Sequence, residues 1–186
     1  MNDMEQMLIQ RCKKGDINAF EILISGYDKK IYNIAFGLVG NEEDAKDIAQ
    51  DALIKAFINI KYFRGESSFS TWIYRIVMNT GKDFLRRRRQ ELSFEESHSK
   101  KEMKDENPGP LETLENRESS DEIHQILLHL KEEYRSVIIL KDLHGFSYQE
   151  IADILDIQLG TVKSRISRGR YILRSIFKQT KEFKEY

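Results

Sequence analysis

Only two prolines occur in the chain, Pro108 and Pro110, and they fall in one short stretch. Proline breaks a helix from within, because it fixes φ and removes a backbone donor. The rest of the 186 residues is therefore free to run as helix on either side of a single break. Strand signals are scarce, Leu, Ile, Lys, Glu and Ala prevail, and apolar residues recur at helical spacing. These features predict an all-α fold: two small helical domains over residues 1–90 and 121–186, joined by an acidic flexible linker over 91–120.

Charge supports the same division. The net charge is only −1, but residues 90–122 hold eleven acidic and four basic side chains, whereas 161–178 hold six basic ones and no acid. Such segregation marks an acidic spacer and a polyanion-binding end. Cys12 is the single cysteine, so no intrachain disulfide can form, which suits a reducing cytoplasm. The histidines at 98, 124, 129 and 144 form no cluster with it, so no metal site is expected. The acidic start of the chain has no long apolar run, and no stretch reaches the roughly 18–20 apolar residues of a membrane span. A cytoplasmic chain without membrane insertion is expected.

In the first half, a helix to about Lys14 precedes a second over about 18–39, with a break near Gly26 and a stop at Gly40. Asn41 then caps a helix whose first turn carries Glu42, Glu43 and Asp44, where carboxylates complement the macrodipole. Ala45, Ile48, Ala49, Ala52, Leu53, Ala56, Phe57 and Ile60 form its core stripe. Wound at about 100° per residue, the opposite face gathers Asp44, Asp47, Gln50, Asp51, Ile54 and Ile58. Isoleucines beside aspartates on an outer face suggest a protein-binding surface; the plainer reading buries Ile54 and Ile58 under a neighbouring helix.

Residues 61–70 (KYFRGESSFS) read as an aromatic loop. A helix over about 71–89 follows, with Trp72, Ile73, Ile76, Val77, Phe84 and Leu85 on its apolar face. Arg75, Asn79, Lys82 and Arg86 lie on the other, and four consecutive arginines, Arg86 to Arg89, end it. One or two of these could serve the helix dipole; four in a row exceed that need.

The second half reads as four helices. The first two carry Ile123, Ile126, Leu127 and Leu130, then Val137, Ile138, Leu140 and Leu143 up to His144-Gly145. Ser147 and Glu150 make a capping box for the third. After a turn at 156–160, Thr161 is expected to cap the last helix, with Val162, Ile166, Ile172, Leu173 and Ile176 inward. Two helices about a tight turn, the second presenting Lys163, Arg165, Arg168, Arg170 and Arg174, make a helix-turn-helix DNA reader. Lys163, Ser164, Ser167 and Arg168 suit base edges, and Arg165, Arg170 and Arg174 suit phosphates. A domain this small buries about 60% of its unfolded surface and is marginal alone.

Several segments carry a family resemblance. SYQEIADIL (147–155) and GTVKSR (160–165), with LKEEYR (130–135) and LKDLHGF (140–146) before them, resemble the promoter-reading domain of extracytoplasmic-function (ECF) sigma factors. Asp156 stands where that family usually has glycine, and Asp tolerates the left-handed conformation better than most residues. DAKDIAQDALIKAF (44–57) resembles the sigma segment that docks on the polymerase clamp. FRGESSFSTWIYRI (63–76), with Asn79, Asp83 and the arginine run, resembles the segment that binds the −10 element.

The resemblance implies a non-enzymatic initiation factor without cofactor, catalytic residue or metal. Its implied partners are core RNA polymerase, through the beta and beta-prime subunits, promoter DNA, and an anti-sigma factor as inhibitor. It implies core binding by Asp44, Asp47, Gln50, Asp51 and Ile54. It implies −10 strand binding by Phe63, Arg64, Ser67, Phe69, Arg75, Asn79, Lys82 and Arg86, with a base extruded into the 63–70 loop. Unstacking that base costs a few kcal/mol, and stacking on an aromatic returns about 1–3; core packing is the competing role for Phe63, Phe69 and Trp72. It implies −35 binding by Thr161, Lys163, Ser164, Arg165, Ser167, Arg168 and Arg170.

The alternative of a conventional helix-turn-helix regulator with an N-terminal sensing domain gives no role to the 41–89 block. For an enzyme such as a nuclease or helicase, Gly15, Gly26, Gly37 and Gly40 make no phosphate-binding loop, and Asp44, Asp47 and Asp51, imaginable as metal ligands at helical spacing, suit a protein contact better with Ile54 and Ile58 beside them.

Overall fold

The computed structural model describes residues 3–98 and 119–184, with side chains over 3–91 and 124–178. Most of the expected 91–120 linker lies outside the described residues.

The first unit contains α1 (Asp3–Lys13), α2 (Ile17–Ile24), α3 (Asp28–Val39), α4 (Glu42–Asn59) and α5 (Phe69–His98). Each end has a local cause. Asp16 caps α2 by accepting the Ala19 N–H at 3.0 Å. Gly40, with φ +75°, closes α3 by donating to the Phe36 carbonyl. Asn41 caps α4 as expected, accepting from the Asp44 N–H at 2.8 Å. A short 3-10 turn, Ile60–Tyr62, leads into the 61–70 loop. Ser68 then accepts the Thr71 N–H at 3.0 Å and starts α5. That helix, expected to end near Arg89, runs to His98, because the added residues include good helix formers and no proline.

The second unit contains α6 (Ser119–Leu128), α7 (Glu132–Ile138) with a π-helical turn at Ile139–Leu143, α8 (Tyr148–Leu155) and α9 (Leu159–Lys184). The Ser147–Glu150 capping box is present in full. Asp156 adopts the left-handed conformation, φ 54°, and ends α8. Thr161 requires a correction: α9 starts at Leu159, and the N–H groups of Thr161 and Val162 donate to the Gln158 carbonyl. The cap thus falls on a backbone oxygen three residues earlier, which side-chain chemistry does not announce.

The two units share one core. Val137, Ile138, Ile139, Leu140 and Phe146 belong to the same buried cluster as Ile31, Ile34, Leu38, Tyr74 and Val77. A Cβ on Gly37 would lie 3.1 Å from the Ile139 side chain, so glycine eases the close packing of α3 against the π-helical turn that follows α7. Phe146 meets Tyr74 edge to face at 5.2 Å, and the Lys30 ammonium sits 4.1 Å from the Phe146 ring centre. Docking of the second unit answers its marginal size.

Two arginines complete the seam, each closing a helix C-terminus where carbonyls lack intrahelical partners. Arg135 donates to the Leu127, Leu128 and Leu130 carbonyls at the end of α6, and across the seam to the Leu38 carbonyl of α3 at 2.6 Å. Arg75 of α5 donates through Nε, at 2.9 Å, and Nη2 to the Asp153 carbonyl of α8.

Arg135→Ala is expected to lower the unfolding free energy by about 3 kcal/mol, the scale of charge-assisted hydrogen bonds. Urea titration measures this, and Arg135→Lys should restore little, because an ammonium lacks the planar fork. His144, whose Nε2 is buried without a hydrogen-bond partner among the described residues, gives a pH dependence. Burial, then Lys30 and His124, hold its imidazolium pKa at about 4 against the ordinary 6.5. Below 6.5 the unfolded chain takes up a proton that the folded chain refuses, so stability falls as pH drops from 6.5 toward about 4. His144→Gln should flatten that part of the stability curve.

Candidate functional site

The outer face of α4 is the first element of the site. Asp47, Gln50 and Asp51 are exposed, Asp44 is half-buried, and Ile54 and Ile58 are 51% and 58% exposed. The isoleucines therefore lie open rather than beneath a neighbouring helix. The stripe behind them is buried at Ala45, Ile48, Ala52, Ala56 and Ile60. The arginine run reaches back to this face. Arg88 pairs with Asp44 at 2.5 Å, and Arg87 and Arg88 share a cleft with Asp47, Gln50, Asp51 and Phe84.

The second element is the loop before α5 and the helix that follows. Arg64 and Asn79 are exposed, Ser67 is half-buried, and Arg86 is exposed beside Asp83 at 3.0 Å. The structure revises the part given to Phe63 and Phe69, which are only 4% and 0% exposed. Their rings pack on one another and on Trp72, with centres 5.3–5.9 Å apart, so they are the footing of the loop and present no free face for a base. The ring that stays accessible is Tyr62, 68% exposed, which sequence reasoning missed. Its position in an aromatic loop was the signal, but a loop has no periodicity to tell inward from outward rings.

Tyr62, Trp72, Arg64, Ser67 and Arg75 line a cleft of about 480 Å³, and Asp153 of α8 closes one side. Lys82 is half-buried against the second unit. Burial lowers its pKa, Glu132 opposes the shift in part, and Arg165 adds to it. Arg89 pairs with Glu132 at 3.3 Å.

The third element is the helix-turn-helix of α8 and α9. Ile151, Ala152, Leu155, Val162 and Ile166 are buried between and beneath the helices. Lys163, Ser164, Ser167 and Arg168 point outward and are exposed. Thr161 and Arg165 are half-buried, and Arg165 pairs with Glu133 at 3.0 Å. Arg170 makes a two-point contact with Asp142 at 3.1 and 2.5 Å, which raises its pKa. These two arginines are thus held by acids of their own unit. Tyr171, 69% exposed, shares a cleft with Lys163, Ser167 and Arg174. The spacing 163, 167, 171 placed it on the reading face, and it was missed because it carries no charge.

Comparison with known proteins fits this geometry. The Sigma-70 region 2 family matches residues 23–91, and the Sigma-70 region 4 family matches residues 120–173. The chain is a sigma-70-type transcription factor built from those two regions. The ECF RNA polymerase sigma factor SigW of Bacillus subtilis is 38% identical over 92% of this chain and 97% of that protein. The ECF RNA polymerase sigma-E factor of Escherichia coli is 37% identical over 89% of this chain and 90% of that protein. Among solved structures, the sigma factor RpoE of Bartonella quintana, in complex with the anti-sigma factor NepR, superposes with a TM-score of 0.69 at 26% identity, over 87% of this chain and 98% of that one.

The chain belongs to the ECF sigma factors: it binds core RNA polymerase and directs it to promoters, reading the −35 element through its helix-turn-helix and helping to melt the −10 element. A sensing domain in its N-terminal half is ruled out by the region 2 match over 23–91. Among the described residues, no helix is long and apolar enough to cross a membrane.

The loop geometry gives a contrast between neighbouring aromatics. Phe63→Ala should destabilise the fold by about 3–5 kcal/mol, as for other buried Phe truncations. Tyr62→Ala should leave the thermal midpoint unchanged. Thermal melts of the two variants check both.

Proposed function

We propose that the three elements divide the work of initiation, with residues 1–90 and 121–186 acting as separate readers joined by residues 91–120. Asp44, Asp47, Gln50, Asp51 and Ile54 form the contact with the polymerase clamp. The observation that carries this assignment is the exposure of Ile54 and Ile58 beside Asp47 and Asp51 on one face of α4. Apolar area left in water beside exposed carboxylates fits a partner surface that is partly apolar and partly basic.

Arg64, Ser67, Arg75, Asn79, Lys82 and Arg86 hold the non-template strand at the −10 element. Cations take phosphates, and Asn79 offers both a donor and an acceptor to a base edge. Phe63 and Phe69 act here as supports for the loop, and Tyr62 offers the exposed ring on which a base can stack. In α9, Lys163, Ser164, Ser167 and Arg168 read base edges, while Thr161, Arg165 and Arg170 set register on the backbone. Two tethered readers on one polymerase gain effective concentration from the link, so neither needs to bind tightly alone.

The protein acts without catalysis of its own, in the cytoplasm where the polymerase works. A separate anti-sigma factor restrains it; the complex of RpoE with NepR is the likeness that supports this.

Asp47→Arg is expected to impair recovery of the protein with core polymerase in a pull-down. In a gel shift, it should leave the duplex affinity of the helix-turn-helix unchanged. Loss of both, or of neither, would remove α4 from the clamp contact.

A further inference from the structure

The first helix carries a polar stripe that none of the three surfaces uses. Asp3, Gln6, Gln10 and Lys13 recur at the three- and four-residue steps that line one face of a helix. Leu8, Ile9 and Cys12 of α1 are buried, so that helix is anchored without the stripe. Gln6 and Gln10 are exposed, and Lys13 is half-buried. A surface helix ordinarily turns such a stripe to open water. Here it faces the 61–70 loop and forms, with Phe63, Arg64 and Gly65, a cleft of about 490 Å³. That size falls within the roughly 300–1,000 Å³ of small-ligand sites.

The same three loop residues also wall the cleft of Tyr62, Trp72 and Arg75. The two clefts are therefore neighbours divided by one loop. Gly65, common to both, has a left-handed backbone with φ +77°, and a Cβ there would meet nothing within 4 Å. The divide is bare backbone in open space, which a nucleic acid strand can cross closely.

The α1 cleft has the parts that a nucleotide needs. Gln6 and Gln10 each present an amide, donor and acceptor together. Met7, 52% exposed, offers a soft apolar face to a ring. Lys13 and Arg64 bring positive charge for a phosphate, and Asp3 can accept from an exocyclic amine. The order along the strand follows from the chain. Arg75, Asn79, Lys82 and Arg86 advance along α5 away from the loop, and the link to the helix-turn-helix unit leaves from the Arg86 end. The α1 cleft lies beyond the loop, at the end nearer the start site.

We propose that the α1 cleft seats a second base of the non-template strand, the next one downstream of the base at Tyr62. Gln6 and Gln10 pair with its edge, Met7 supports its ring, and Lys13 holds its phosphate. An amide matches the N7 acceptor and N6 donor of adenine, so adenine is the base preferred. The inference rests on the assignment of Tyr62, Arg64 and Arg75 to the −10 strand.

Transcription by core polymerase carrying this chain tests it, on templates randomised upstream of the start, with base frequencies read position by position. The unsubstituted chain should favour adenine about tenfold at the downstream edge of the start-proximal block, the scale of one well-made base-edge contact. Gln6→Ala combined with Gln10→Ala should bring that position near parity and leave the other positions of the block as they were. Lys13→Gln should lower output on every template and leave the frequencies alone, as a phosphate contact does. Equal thermal midpoints by circular dichroism show that the variants keep the fold.

An edge position without preference, or one that keeps its preference in the double variant, would overturn the proposal. The strand assignment survives that result if Tyr62→Ala or Arg75→Ala alters the rest of the block. If neither substitution alters the block, the strand assignment falls, and the proposal falls with it.

Discussion

The packing of the two units on one another depends on arginine forks that plug helix C-termini across a seam. Arg135 of the second unit reaches the end of α3, and Arg75 of the first reaches the end of α8. A helix end turned into an interior would otherwise leave several carbonyls without donors, at about 1–3 kcal/mol each. A guanidinium suits the task because its five donors lie in one rigid plane, so one side chain can serve several carbonyls. Arg135 does this for the ends of both α3 and α6. With the polar ends satisfied, Gly37 lets Ile139 pack against α3, and the two apolar cores become one. Apolar burial supplies the driving force and the arginines set the register.

That architecture explains how one short chain can hold three surfaces of different character. The face proposed for the clamp is a feature of α4 alone, the outer side of a helix whose inner side is buried at Ala45, Ile48, Ala52 and Ala56. The duplex reader is a feature of α8 and α9, set by the Ser147–Glu150 cap and the left-handed Asp156. The face proposed for the single strand differs from both because it lies where the units meet. Its cations are partly spoken for inside the molecule, by Asp153, Glu132 and Asp44. The run from Arg86 to Arg89 illustrates the economy: Arg86 turns to Asp83, Arg88 to Asp44 on the outer face of α4 and Arg89 to the second unit. A stretch that looks like one basic patch in sequence is three separate ties in space.

Local structure was legible where one residue decides it. Asn41, Gly40, Ser147 with Glu150, and Asp156 all behave as their chemistry dictates, and the isoleucines of α4 face outward as helical winding places them. Family resemblance supplied the identity of the two regions. The seam was not legible. Ile139, Phe146 and Tyr74 look like ordinary inward residues of their own helices, and periodicity cannot say which unit an inward residue faces. Gly37 carries no pattern at all, and Arg135 reads as one more charge. The loop rings misled for a related reason, since Phe63 and Phe69 had no spacing to assign them to the core. Thr161 misled because a backbone carbonyl, from Gln158, does the capping expected of a hydroxyl.

The most direct test of the account is run-off transcription with purified bacterial core polymerase, this chain and a library of random upstream sequences. The account predicts transcripts starting at defined positions, downstream of two shared sequence blocks at fixed spacing. Starts no more frequent or better defined than those of core polymerase alone would contradict it.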